Sequence, residues 1–196
     1  CMAAIVAGNS DMTFNDCTAE CGSYFALTHC VNGWQEEVAD ITVTGGDIHT
    51  KKECVLVKSH NMMLDLCDVN ISSDKGILVH TIVNDDPCAT KVTKDVFGVN
   101  VVMTDMDVKG DLLHEDTTRE MWVMLNSTQL TGAIQHANVA FDKGSKWVAT
   151  ADSDVVFVTD VEPAQIDAPA GVTITAKGAE AGEFALASGG KLVVTA

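Results

Sequence analysis

Short runs of alternating apolar and polar residues follow one another along this chain, separated by small polar corners. Asn138-Val139-Ala140-Phe141, Lys146-Trp147-Val148-Ala149-Thr150 and Val155-Val156-Phe157-Val158 each have a period of two, and Gly, Asp, Ser or Pro stand at the breaks. No apolar periodicity of helical length interrupts them between residues 137 and 176. The pattern predicts strand after strand and little helix. Gly33-Trp34-Gln35-Glu36-Glu37 reads as a corner or a short helix, and Asn84-Asp85-Asp86-Pro87-Cys88-Ala89-Thr90-Lys91 as a polar loop.

The strands also repeat. An apolar residue, four mostly polar positions and a second apolar residue recur as Phe14…Ala19, Val43…Ile48, Leu64…Val69, Met103…Val108 and Leu125…Leu130. Met103, Val108, Gly110 and Leu112 match Leu125, Leu130, Gly132 and Ile134 at a constant offset of 22, and Val43 precedes Leu64 by 21. A further apolar strand follows two of the copies, as Cys54-Val55-Leu56-Val57 and Ile77-Leu78-Val79. One such unit cannot bury its own inward side chains, so units must stack to make a core. The expected fold is all-β, a parallel β-helix (solenoid) with rungs of roughly 20–25 residues. It forms a single domain over 1–196, with cysteine-bearing rungs and inserted loops over 1–98 and cysteine-free terminal rungs over 99–196. Leucine-rich repeats share the length, but their L-x-x-L-x-L consensus is missing.

Charge narrows the partners. The formal net charge is −16 and Arg119 is the sole arginine, which argues against nucleic acid and against anionic membrane surfaces. No apolar run approaches the roughly 18 residues of a spanning helix, so the chain is not expected to be an integral membrane protein. No basic and apolar leader is present, and any signal peptide is expected to have been removed.

All seven cysteines lie in the first 88 residues. No C-x-x-C occurs, which disfavours zinc, and the density suits a secreted or cell-surface protein stapled by disulfides. Cys17, Cys21, Cys30, Cys54, Cys67 and Cys88 are the disulfide candidates. The odd count leaves Cys1 as a free thiol or a link to another chain. Free buried thiols are the alternative.

The stretch Leu125-Asn126-Ser127-Thr128-Gln129-Leu130-Thr131-Gly132-Ala133-Ile134, with Gly144-Ser145-Lys146-Trp147, Asp152-Ser153, Gly171-Val172-Thr173-Ile174 and the closing Ala185-Leu186-Ala187-Ser188-Gly189-Gly190-Lys191-Leu192-Val193, resembles the terminal rungs of right-handed β-helices. These are the pectin-lyase-like solenoids of adhesin-like bacterial surface proteins. The resemblance covers the C-terminal half by motif and the cysteine-bearing half by rung period alone. It implies a surface or extracellular protein without lyase chemistry.

Candidate chemistry is sparse. Asp105 and Asp107, and Asp152 and Asp154, have the i, i+2 spacing that puts two carboxylates on one face of a strand. They are weak candidates for glycan or calcium binding, because paired carboxylates serve glycoside hydrolysis or Ca²⁺ coordination. Solvent-facing positions on half-buried strands, in a chain rich in acids, are the preferred account of them. His60 and His80 stand about one rung apart as a surface ladder, and Trp34, Trp122 and Trp147 are core or rung-edge residues unless they line one face for sugar stacking. No nucleophile elbow, phosphate loop or H-E-x-x-H occurs. No catalytic residue, metal site or cofactor is therefore expected.

The expected function is a non-enzymatic extracellular structural or adhesive β-solenoid that assembles end to end with itself as a homo-oligomer or filament, or binds host or extracellular glycans. A polysaccharide-binding or polysaccharide-degrading β-helix is the alternative.

Overall fold

The computed structural model describes residues 4–30, 36–86, 97–178 and 180–196. The chain is nearly all-β, and a 16-stranded, almost wholly parallel sheet curls into a half-barrel, an arrangement consistent with a β-solenoid. A separate four-stranded parallel sheet joins Asp107–Lys109, Gln129–Thr131, Lys146–Val148 and Ile166–Asp167. The 3₁₀ turn Pro163–Gln165 is the only helical element among the described residues.

Successive circuits of the chain lie on one another in register, so equivalent residues form columns. Ile41, Leu64, Val101, Val123 and Val139 make one such inward column, each without exposed surface. Each full burial contributes about 1.5–3 kcal/mol. Strands that precede them, Ala26–His29, Val55–Lys58, Ile77–Ile82 and Asp111–His114, make a neighbouring stack.

The six-residue signature marks one corner of each circuit. Its third residue is Asp16, Gly45, Asp68, Asp105 or Ser127, and all five have left-handed φ, between 49° and 65°. Asp and Gly tolerate that conformation best, which turns the chain without a loop. The first apolar residues of the signature align as Phe14, Val43, Leu66, Met103 and Leu125. The third copy therefore runs from Leu66 to Ile71, and not from Leu64 to Val69. Leu64 and Leu66 are both inward, and period-two alternation cannot tell them apart. Column contact is tight where Gly132 crosses Gly110, since a Cβ at 132 would lie 2.0 Å from the Gly110 carbonyl oxygen.

Side chains satisfy backbone groups that the corners leave unpaired. Asp111 accepts the Ala133 N–H, Asp152 that of Thr173, and Asp167 that of Ser188, each in the following circuit. Asp142 accepts from Ser127 N–H, Gly144 N–H and the Ser145 hydroxyl. The hydroxyls of Ser145 and Ser188, followed by these N–H groups, hold Asp142 and Asp167 below the usual carboxylate range. Their stabilisation is complete above that range and is lost as pH falls through their lowered values.

The two ends of the stack differ. The last parallel strand, Lys191–Thr195, is covered on its outer edge by the antiparallel strand Gly182–Ala185, with Lys191 paired to Glu183 at 2.8 Å. At the other end Ser10–Cys21 pairs only with Val38–Thr50 among the described residues, and its inward Met12, Phe14 and Ala19 are partly exposed.

Candidate functional site

The strand Ile134–Phe141 passes from one stack to the next with no intervening loop. It does so at His136, whose φ is 57° and at which the pairing with Ser153–Phe157 slips by a residue. Such a bulge re-aims one side chain out of the sheet. Asp154, in the following circuit, fixes it: one carboxylate oxygen lies 2.7 Å from the His136 backbone nitrogen and 2.7 Å from Nδ1. The carboxylate can only accept, so Nδ1 carries a proton toward Asp154. His136 and Asp154 remain 55% and 52% exposed.

Beside this pair runs an open groove of about 380 Å³. Its floor is the outer face of successive parallel strands, where Asn138, Val156, Lys177 and Thr195 form a single register column and Thr175 lies next to Lys177. Its wall is the 115–120 corner, which contributes Thr117 and Glu120. At this corner the 115–120 loop separates Asp111–His114 from Met121–Asn126, whereas Ile134–Phe141 turns at His136 without a loop. A second depression, against Asp152, Thr173 and Thr175, shares His136 and Asp154.

The wall rests on a buried polar network. Arg119 and Asp116 are 1% and 2% exposed at their side chains and pair at 3.2 Å. Arg119 Nε donates to Asn61 Oδ1 at 3.3 Å, and Asp116 also accepts from the Thr118 N–H and hydroxyl. His114 Nε2 donates to the Arg119 carbonyl at 2.9 Å, and Thr81 Oγ1 stands 2.5 Å from its Nδ1. Nε2 must hold the proton because a carbonyl only accepts. Burial pushes the His114 pKa down. His60, 1% exposed and with neither ring nitrogen hydrogen-bonded, is held down to about 4 by burial, then by Arg119 and His29.

Of the four candidate carboxylates, Asp154 alone lines this groove. Asp105 occupies the left-handed corner position, whereas Asp107 begins the next strand, so the two do not share a strand face. Asp152 precedes the strand Ser153–Phe157, and its carboxylate is engaged with the Thr173 N–H. Among the described residues no three His, Cys, Asp or Glu side chains are placed to hold a metal ion. Trp147 is fully buried and donates to the Gly132 carbonyl at 2.8 Å, and Trp122 lies on an outer face against Glu120, so these two make no common platform. His60 is buried at a corner, and His80 lies in register with Leu56 and Leu113, so no histidine ladder forms.

No disulfide joins two described cysteines: Cys17, Cys54 and Cys67 carry thiols, and burial pushes that of Cys54 up to about 11. Cys21 and Cys30 are buried. Cys1, Cys88 and Trp34 lie outside the described residues, as does most of the 84–91 loop. Compared with protein-family models, curated proteins and solved structures, the chain matches none of them.

Proposed function

We propose that this chain is a right-handed parallel β-solenoid of the adhesin-like kind, a non-enzymatic, secreted or surface-exposed protein that binds an extended polar ligand such as a glycan along the groove at His136. The observation that carries this reading is the groove itself, an open channel floored by a register column of outward side chains and flanked by an imidazole that Asp154 orients. Hydroxyl, amide, ammonium and imidazole groups spaced along a strand stack suit the hydroxyl groups of a sugar chain, and the partly exposed Val156 offers an apolar floor. A binding role is favoured over catalysis because three of the four candidate carboxylates lie outside the groove, and the fourth is committed to His136.

Self-assembly is the second element of the reading. Its route is the Ser10–Cys21 edge, because the opposite edge is occupied by Gly182–Ala185. Light scattering and electron microscopy across a concentration series test it, and a strictly monomeric protein at high concentration rejects it.

Asp154→Ala is expected to weaken glycan binding at least about tenfold, the loss of one charge-assisted hydrogen bond of about 1.5–3 kcal/mol that fixes the imidazole. A glycan array followed by calorimetry on the wild type and the variant measures this. Unchanged affinity places the ligand elsewhere. Turnover in reducing-sugar or unsaturated-product assays, abolished in His136→Ala, overturns the non-enzymatic reading in favour of a polysaccharide-degrading one.

A further inference from the structure

We propose that His60 and His114 make the 115–120 wall of the groove release in mild acid, so that a ligand held there is let go as pH falls. The inference rests on the groove being the binding site and adds its regulation. The wall is held from beneath, through Arg119, whose carbonyl receives His114 and whose guanidinium spans Asp116 and Asn61. Asn61 extends the connection by donating to the Glu37 carbonyl at 3.0 Å and accepting the Gly98 N–H at 3.1 Å. The corner is therefore tied to other circuits by buried polar groups.

That network contains one buried guanidinium, one carboxylate in contact with it and the buried imidazole of His114, and the buried, unbonded imidazole of His60 precedes Asn61 in the chain. The charges of Arg119 and His29 disfavour a proton on His60, after burial itself. Asp116 and His136 act on His114, with Thr81 and the Arg119 carbonyl in direct contact. Nearby, Glu37 has a buried carboxylate oxygen without a hydrogen bond, and Arg119 Nη2 is likewise without a partner. A proton added to His60 creates a cation with no acceptor beside an existing cation. A proton added to His114 at Nδ1 forces the Thr81 hydroxyl to turn from donor to acceptor. In the released corner both rings meet water and protonate normally.

The sign follows. Between the ordinary histidine value near 6.5 and about 4, the released state takes up protons that the closed state refuses, so acid favours release across that window. Above it the closed wall is fully favoured.

Trp122 reports the event, because its indole N–H donates to Glu120 Oε2 on the wall at 3.1 Å. Fluorine NMR of the full chain labelled with 5-fluorotryptophan is the test, with the Trp122 signal assigned by Trp122→Phe. The Trp122 resonance is expected to move between pH 6.5 and 4 while that of Trp147, in the core, holds. His60→Leu is expected to lower the midpoint by roughly one pH unit, and His49→Gln, on a distant face, to leave it in place. Should His60→Leu fail to fold, the carbon-13 titration of His60 in the wild type must share the Trp122 midpoint. Trp122 and Trp147 moving together with loss of β-sheet circular dichroism, or no Trp122 movement down to pH 4, overturns the proposal. These readouts need no ligand, so they stand apart from the glycan array. A glycan found on that array must dissociate with the same midpoint.

Discussion

Arg119→Ala is expected to lose about 3–5 kcal/mol of folding stability, the cost of leaving one member of a buried ion pair without the other. The Asp116 side chain is 2% exposed, and in the variant it keeps only Thr118 as a donor. Asn61 Oδ1 loses the Nε–H of Arg119 and retains the Gly98 N–H. Urea denaturation of the wild type and the variant measures the difference. The double variant Arg119→Met with Asp116→Leu should lose much less, because removing both charges leaves no stranded carboxylate and fills the space with apolar atoms. A single variant within about 1 kcal/mol of wild type would show the pair to be solvated and would remove the foundation assigned to the groove wall.

Trp147→Ala is the second large effect, expected at about 3–5 kcal/mol from the cavity alone. The indole is wholly buried, stacks against Phe141 at 6.5 Å between centroids, and lies in register between Leu130 and Ile166. It also satisfies the Gly132 carbonyl at 2.8 Å, at the point where the backbone passes closest to Gly110. Trp147→Phe separates the two contributions. It retains most of the packing and drops the hydrogen bond, so it should cost about 1–3 kcal/mol for the unsatisfied carbonyl. The urea midpoints of the three proteins decide the matter. Equal losses in the phenylalanine and alanine variants would assign the whole effect to the hydrogen bond and none to packing.

The corner column was legible in the sequence, because Phe14, Val43, Met103 and Leu125 stand at matching places in the signature and align in space. Its chemistry was legible in four of the five copies, whose third place is Asp16, Gly45, Asp105 or Ser127; in the copy read from Leu64 that place is Leu66, and only the register shows that the corner falls at Asp68. The same regularity explains why Asp105 resembled a ligand when it is a turn residue. The bulge at His136 also left a trace. Inward residues step from Ile134 to Ala137, Val139 and Phe141, a slip of one in an otherwise strict alternation. What that slip could not convey was the partner. Asp154 belongs to the following circuit, and only the register of stacked strands brings it to the imidazole. The buried network was illegible for the same reason. Thr81, Asn61 and Arg119 come from three separate circuits, and an isolated arginine among acids reads as a solvated surface. The pattern also said nothing of the antiparallel cover at the C-terminal edge, since Gly182–Ala185 alternates like any other strand.

That cover gives the molecule a direction. In a stack where each circuit touches only its neighbours, disassembly is a one-dimensional process that starts wherever the terminal layer is least supported. A circuit at the covered edge must shed two strands, Gly182–Ala185 and Lys191–Thr195, before the column behind it meets water. Ser10–Cys21 need shed only itself. The sheet is thus a ratchet for fraying, running from the Ser10–Cys21 end toward the groove. His136 and Asp154 lie at the far end of that progression, so the proposed binding groove is among the last of the described parts to feel a disturbance that begins at Ser10–Cys21.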